Sequence, residues 1–250
     1  MDAAILNAGE GKRLRPLTSL KPKCLLKLNK ATILEHQLIN VAGCGIRNVV
    51  IVVGYRESQI IEETRRRDFD LEIKFKRNPL YYETNTAYSL WLAREHIRDD
   101  FVYINGDVVF DRRVLERLLR SHYDTCIAVE KKRVNEEEVK VRLASNLVVG
   151  IGKDLELSKA DGEFVGIARF SARFSHLLFD NLGKVVEEGE VDKFFEVALD
   201  RVLKQNRVYA VDVSDLPCVE VDSFEDFDKA KRIYSRITGG NAHAMSEGNG

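Results

Sequence analysis

The chain opens on the apolar run Ala3-Ala4-Ile5-Leu6, and glycines follow at once. A short apolar run bounded by a turn predicts a buried strand over 3–6. Ile33, Leu34, Leu38, Ile39 and Val41 recur near the helical period and predict a helix that Gly43 or Gly45 ends. Asn48-Val49-Val50-Ile51-Val52-Val53 is a continuous run rich in β-branched residues, the pattern of a strand covered on both faces. Helices are predicted over 56–67, 86–96 and 113–121, and strands over 71–75 and 101–104. Strands alternating with helices imply right-handed crossovers and a mostly parallel sheet with helices on both faces. From about residue 125 the rhythm changes. Strand-like runs over 125–129, 139–143, 147–151 and 163–170 lie close together and predict an antiparallel or mixed extension of the sheet. Helices over 172–182 and 191–205, a strand over 208–213 and a helix over 224–234 follow. Residues 239–250 lack periodicity and are rich in Gly, Asn and Ser, which predicts a disordered tail. The expected fold class is α/β, a Rossmann-like sheet flanked by helices with a mixed-sheet extension. One domain over 1–236, in halves 1–124 and 125–236, precedes a tail over 237–250.

Composition narrows the functions open to such a fold. With 250 residues, 44% of them hydrophobic and only 4 prolines, the chain builds a sizeable core. Lys plus Arg is 39 and Asp plus Glu is 40, a net charge of −1, which gives no support to a nucleic-acid or membrane-surface binder. No apolar run approaches the roughly 20 residues of a membrane span, and the N-terminus has neither a basic region nor a cleavage site, so a cytoplasmic protein is expected. Homo-oligomerisation stays open. The cysteines Cys24, Cys44, Cys126 and Cys218 form no CxxC pair, and the 5 histidines show no HExxH spacing. A metal, if used, is then a hard cation held by carboxylates and phosphates.

The first strand is followed by Ala8-Gly9-Glu10-Gly11-Lys12-Arg13-Leu14-Arg15-Pro16-Leu17-Thr18-Ser19-Leu20-Lys21-Pro22-Lys23-Cys24-Leu25-Leu26. A dinucleotide-binding turn wants a third glycine at position 14, where Leu14 stands, and the two prolines argue against an immediate helix. That weighs against a dehydrogenase. What remains is a long loop at the C-terminal edge of a parallel sheet, where such folds bind ligands. Lys12, Arg13, Arg15, Lys21, Lys23 and Lys27 oppose one acid, Glu10. Clustered cations beside glycines that let the backbone approach favour a polyphosphate site over a merely solvated face.

Gly9-x-Gly11-x-Arg13-Leu14, then Pro16-Leu17-Thr18 and Pro22-Lys23-x-Leu25, resembles the signature of the sugar-phosphate nucleotidyltransferase superfamily. Its usual Leu-Ala-Ala-Gly opening has Asn7 in place of the first Ala. The resemblance extends to roughly Tyr234 and implies a nucleotide-binding first half and an acceptor-binding second half. It implies backbone contacts to the nucleotide along Leu6, Asn7, Ala8, Gly9 and Gly11, with Lys12 beside them. It also implies that Arg13 contacts the phosphates that leave as pyrophosphate, and that Lys23 holds the α-phosphate and the incoming phosphate. Asn105-Gly106-Asp107 would supply the family's metal-binding aspartate, with Gly106 against the nucleotide, and Asp222 the second carboxylate for Mg²⁺. Glu220 shares a strand face with Asp222 by the period of two and is a candidate acceptor contact, as is Glu163.

Asn85-Thr86-x-x-Ser89-Leu90 is similar to the small cytidylyltransferases that act on choline phosphate, aminoethylphosphonate or inositol phosphate. Asn85 and Thr86, with Asn78 in the preceding loop, are candidates to meet the base or ribose, although Asn85 as a helix cap needs no ligand. The expected partners are therefore a nucleoside triphosphate, CTP first, and a phosphorylated small molecule. A UTP- or dTTP-dependent sugar-1-phosphate enzyme is the alternative, and a catalytically silent nucleotide-sugar-binding subunit a more distant one.

Overall fold

The computed structural model describes residues 1–244. β1 (Asp2–Asn7), β2 (Asn48–Val53), β3 (Glu72–Arg77) and β4 (Phe101–Asn105) pair in parallel in the spatial order β3-β2-β1-β4. β1 is buried along its whole length, as a strand covered on both faces must be. Between these strands run α1 (Ile33–Gly43), α2 (Glu57–Arg65) and α3 (Thr86–Ala93). Thr32 and Glu35 form a capping box that starts α1.

β9 (Gly162–Phe170) then lies antiparallel against β4 and carries the second half into the same sheet. Beyond it come β6 (Cys126–Glu130), β10 (Tyr209–Asp212), β8 (Leu147–Gly152) and β7 (Lys140–Ala144), giving nine strands. α4 (Arg112–Arg120) covers one face, while α5 (Ala172–Glu187) and α6 (Glu196–Leu203) cover the other. The parallel half and the mixed extension both stand as the patterning predicts.

Three differences have physical reasons. The helix expected over 191–205 starts only at Glu196, after a turn in which the Thr86 hydroxyl accepts from the Phe195 amide. The pairing of β5 (Val108–Phe110) with β11 (Cys218–Glu220) in a second, two-stranded sheet was not predicted, because it is long-range. β11 ends at Glu220, so Asp222 lies past the strand and does not share a strand face with Glu220 as expected. The last helix, α7 (Phe224–Ala244), continues through residues expected to be disordered from 237. Helix-favouring residues up to Ile237 carry it on, and two glycines cost only about 1 kcal/mol each. Residues 245–250 lie outside the described residues.

Two apolar layers sandwich the main sheet, one around Phe101, Tyr103, Phe164 and Phe195, the other around Ile5, Ile51, Ile104 and Phe110. A third core joins Leu14, Leu26 and Leu28 of the basic loop to Val109, Val219, Val221, Phe227 and Tyr234. The loop after β1 is thus packed down on α7 and the small sheet. Among the described residues no helix is long and apolar enough to cross a membrane.

Candidate functional site

The C-terminal ends of β1 and β4, the basic loop and the β11–α7 junction surround a cavity of about 390 Å³. Two glycines shape it. Gly11 has φ +62°, a left-handed conformation that starts the first 3-10 turn of the loop, Lys12–Leu14. Gly106 is required by close approach: a Cβ there would collide with the Asn7 side chain and the Leu6 carbonyl. At Gly9 a Cβ would meet nothing within 4 Å, so the backbone there borders open space.

At the centre of this wall Lys23, on a second 3-10 turn (Lys23–Leu25), is held by residues distant in sequence. Its Nζ donates to Asp107 Oδ2 at 2.6 Å, to Asp222 Oδ1 at 3.0 Å and to the Val221 carbonyl at 2.9 Å. Arg13 Nη2 pairs with the other oxygen of Asp222 at 2.8 Å. Burial disfavours charge on Lys23, but Asp107 and Asp222 outweigh it and raise its ammonium above the ordinary lysine value. Burial also works against charge on Asp222, and Lys23 and Arg13 reverse that, holding its carboxyl below the usual range. Ser223 exchanges capping hydrogen bonds with Asp226 at the start of α7, which leaves the Asp222 side chain free to face the cations. Asp107 Oδ1 is buried without a hydrogen-bond partner.

Behind Asp107 the Tyr103 hydroxyl donates to Asn105 Oδ1, and Asn105 Nδ2 donates to Glu220 Oε1 at 3.0 Å. Burial raises the Glu220 carboxyl well above its ordinary value, and the nearby Asp107 and Asp222 add to the shift.

The structure brings Leu6, Asn7, Ala8, Gly9, Gly11, Lys12, Arg13, Lys23, Asn78, Asn85, Thr86, Gly106, Asp107, Glu220 and Asp222 to the wall of one cavity. Their side chains are not equally free. Lys12 points to Glu10 at 2.6 Å. The Asn78 amide is taken up by Thr84 and Ser89, and its oxygen by the Leu80 amide. Asn85 Oδ1 accepts from the Thr86 amide at the start of α3. Glu163 stands apart. It lines a neighbouring cleft of about 660 Å³, which shares Arg13, Glu220 and Asp222 with the main cavity, and it pairs with Lys132 at 2.6 Å.

Sequence reasoning passed over Lys153, Phe194 and Glu196, which bring the second half of the chain to the main cavity. Lys153 follows β8 directly, its Nζ 4.7 Å from the Phe194 ring centre, and its carbonyl is held by buried Lys140 Nζ at 2.6 Å. Nothing in a lone strand-end lysine marks it beforehand. Glu196 did leave a signal, a carboxylate inside the apolar run Phe194-Phe195-Glu196-Val197-Ala198-Leu199.

A cavity in which Lys23 and Arg13 meet Asp107 and Asp222 beside loop amides suits a ligand with several negative charges and a counter-cation. Over 234 residues the chain is 28% identical to choline-phosphate cytidylyltransferase of Streptococcus pneumoniae, covering 93% of this chain and 98% of that protein. It is also 28% identical over 231 residues to the bifunctional IPC transferase and DIPP synthase of Aquifex aeolicus, covering 92% of this chain and 51% of the relative, about half its length. The inositol-1-phosphate CTP transferase from T. maritima shares the fold, with a TM-score of 0.79, 23% identity and 96% coverage of each chain. The nucleotidyl transferase family model matches residues 2–138, more than half of the sequence and the stretch that contains the basic loop and Asp107. The chain therefore belongs to the nucleotidyl transferase family and is an enzyme of nucleotidyl transfer.

Proposed function

We propose that the enzyme transfers the cytidylyl group of CTP, with Mg²⁺, to a small molecule bearing a phosphate or phosphonate, releasing pyrophosphate. The observation that carries this reading is the meeting of Lys23, Asp107 and Asp222 beside the loop amides of Gly9–Gly11. An anionic oxygen of the acceptor attacks the α-phosphorus in line. The new oxygen–phosphorus bond forms as the bond to the β-phosphate bridge breaks, and pyrophosphate leaves. The attacking oxygen is already anionic, so no general base is needed, and catalysis reduces to positioning and charge neutralisation. Lys23 is assigned to the α-phosphate and the acceptor phosphate, and Arg13 to the departing phosphates. Lys153 adds a further cation, contributed by the second half of the chain.

The donor set fits Mg²⁺. Asp107 and Asp222 offer hard oxygens, Asp107 Oδ1 has no partner, and Mg²⁺ is commonly held by one or two carboxylates together with phosphates. When bound, Mg²⁺ supplies charge neutralisation at the triphosphate oxygens. Asp107 and Asp222 would hold it, and the oxygens of a bound triphosphate would be needed to complete its shell.

Preference for CTP rests on the cytidylyltransferase relatives and on a physical handle. Cytosine offers an amino donor where uracil offers a carbonyl, and a mismatched buried group costs about 1–3 kcal/mol. Pyrophosphate release measured with five nucleotides against a panel of phosphorylated acceptors tests the proposal. CTP is expected to lead; a clear UTP or dTTP preference moves the enzyme to the sugar-1-phosphate branch.

A further inference from the structure

Glu196 has no part in the reading above, yet it is unusual among the residues lining the cavity. It opens α6, is 3% exposed, and its Oε2 has no hydrogen-bond partner. With Lys153 and Phe194 it forms the wall that the second half contributes. Burial pushes its carboxyl up to about 7, and Lys153 only partly opposes that. The buried Tyr103 hydroxyl is pushed up by burial and then by Glu196 and Glu220. Two shielded carboxyls thus lie near one phenol, in a cavity that Lys23 and Arg13 also line.

The cation of this wall, Lys153, lies against the Phe194 ring, and among the described residues it forms no ion pair with Glu196, whose Oε2 is left without a partner. A buried carboxylate is kept only when something pairs with it, and leaving it unpaired carries the full cost of desolvation. A hydroxyl group would satisfy the free oxygen of Glu196 but not its charge. An ammonium would do both, and the Phe194 ring beside it already holds the Lys153 ammonium against its face. We propose that Glu196 binds a positively charged amine on the acceptor, so that the acceptor is a short aminoalkyl phosphate or aminoalkylphosphonate rather than a neutral polyol phosphate. The assignment rests on the nucleotidyl-transfer reading of the cavity. Phosphate at Lys23 and ammonium at Glu196 would fix both ends of a small zwitterion.

The test uses two isosteres, 2-aminoethyl phosphate and 2-hydroxyethyl phosphate, with CTP and Mg²⁺. Wild-type enzyme is expected to show kcat/KM at least about tenfold higher for the amine, the scale of one charge-assisted hydrogen bond. Glu196→Gln is expected to raise the KM for the amine about tenfold, leave the KM for CTP unchanged, and leave the hydroxyl compound unaffected. Equal turnover of the two isosteres by wild type overturns the assignment and needs no variant, so a folding defect in Glu196→Gln does not protect it. Calorimetric binding of the two isosteres separates the two ideas. Amine-selective binding without turnover of any nucleotide sinks the proposed reaction and keeps Glu196. Turnover without amine selectivity keeps the reaction and sinks Glu196.

Discussion

Two lysines in this molecule are clasped by carboxylates, in very different settings. Lys132 pairs with Glu130, Glu138 and Glu163 at 3.1, 3.1 and 2.6 Å in the loop before β7 and on the strands beside it. Lys23 pairs with two aspartates drawn from points 84 and 199 residues away, and with a carbonyl as well. The Lys132 side chain is 32% exposed, and that of Lys23 is 16%. Around Lys132 the acids outnumber the cation, yet none of their oxygens is a buried orphan among the described residues, so the cluster is complete as it stands. Around Lys23 one buried oxygen, Asp107 Oδ1, is left over. An ion pair that closes on itself is a strut, whereas one assembled from distant elements with an unused donor atom has room for a ligand.

Removing either aspartate tests that distinction most severely. Asp107→Ala and Asp222→Ala are each expected to abolish Mg²⁺-dependent pyrophosphate release, a loss of about a thousandfold or more, while remaining folded. Normal activity in either variant at a matched melting temperature would break the comparison. Next in size comes Lys23→Ala, for which steady-state kinetics should show a loss of at least about a hundredfold. Lys12→Ala, whose ammonium is turned to Glu10, should lose much less. Were the two equally mild, the basic loop would be a solvated surface after all.

Glu196 provides a test in pH. Its carboxyl ionises near 7 in the folded protein against 4.5 ordinarily, so between those values the native state binds more protons than the unfolded chain. Stability therefore falls as pH rises through that window, by roughly 3 kcal/mol from this group. Thermal melts of wild type and Glu196→Gln from pH 4.5 to 8 should differ by that slope; parallel curves would remove Glu196 as a strained acid. The smallest effect is expected at Lys132→Ala, with kcat/KM within about threefold of wild type and stability lowered by no more than about 1 kcal/mol.

The first half of the site was legible in the sequence because its chemistry is local. Gly9, Gly11, Arg13 and Lys23 fall within one loop, and Asp107 follows a strand that announces itself by its apolar run. Asp222 was found only by resemblance, since its meeting with Lys23 is written in the pairing of β5 with β11 and three-residue strands carry no period. Glu163 has the right residue type on the expected strand, but it turns toward Lys132 and the neighbouring cleft, and period two does not say which neighbour a side chain will choose. Lys153 and Glu196 went unread for the same reason in reverse: each is placed by tertiary packing, not by a neighbouring motif.

The β5–β11 ribbon also bears on when the enzyme becomes competent during synthesis. Val108 pairs with Glu220, and the Asp107 carbonyl accepts from the Val221 amide at 3.1 Å. A nascent chain that has emerged only through β9 holds the basic loop and Asp107 but lacks both β11 and Asp222. Long-range pairing of this kind forms late, because the entropy of closing the intervening loop is lost before the contact is gained. The basic loop, whose leucines also pack on α7, thus gains its final support from segments that emerge well after it, and a chain without them would hold the parts of the candidate site without their arrangement.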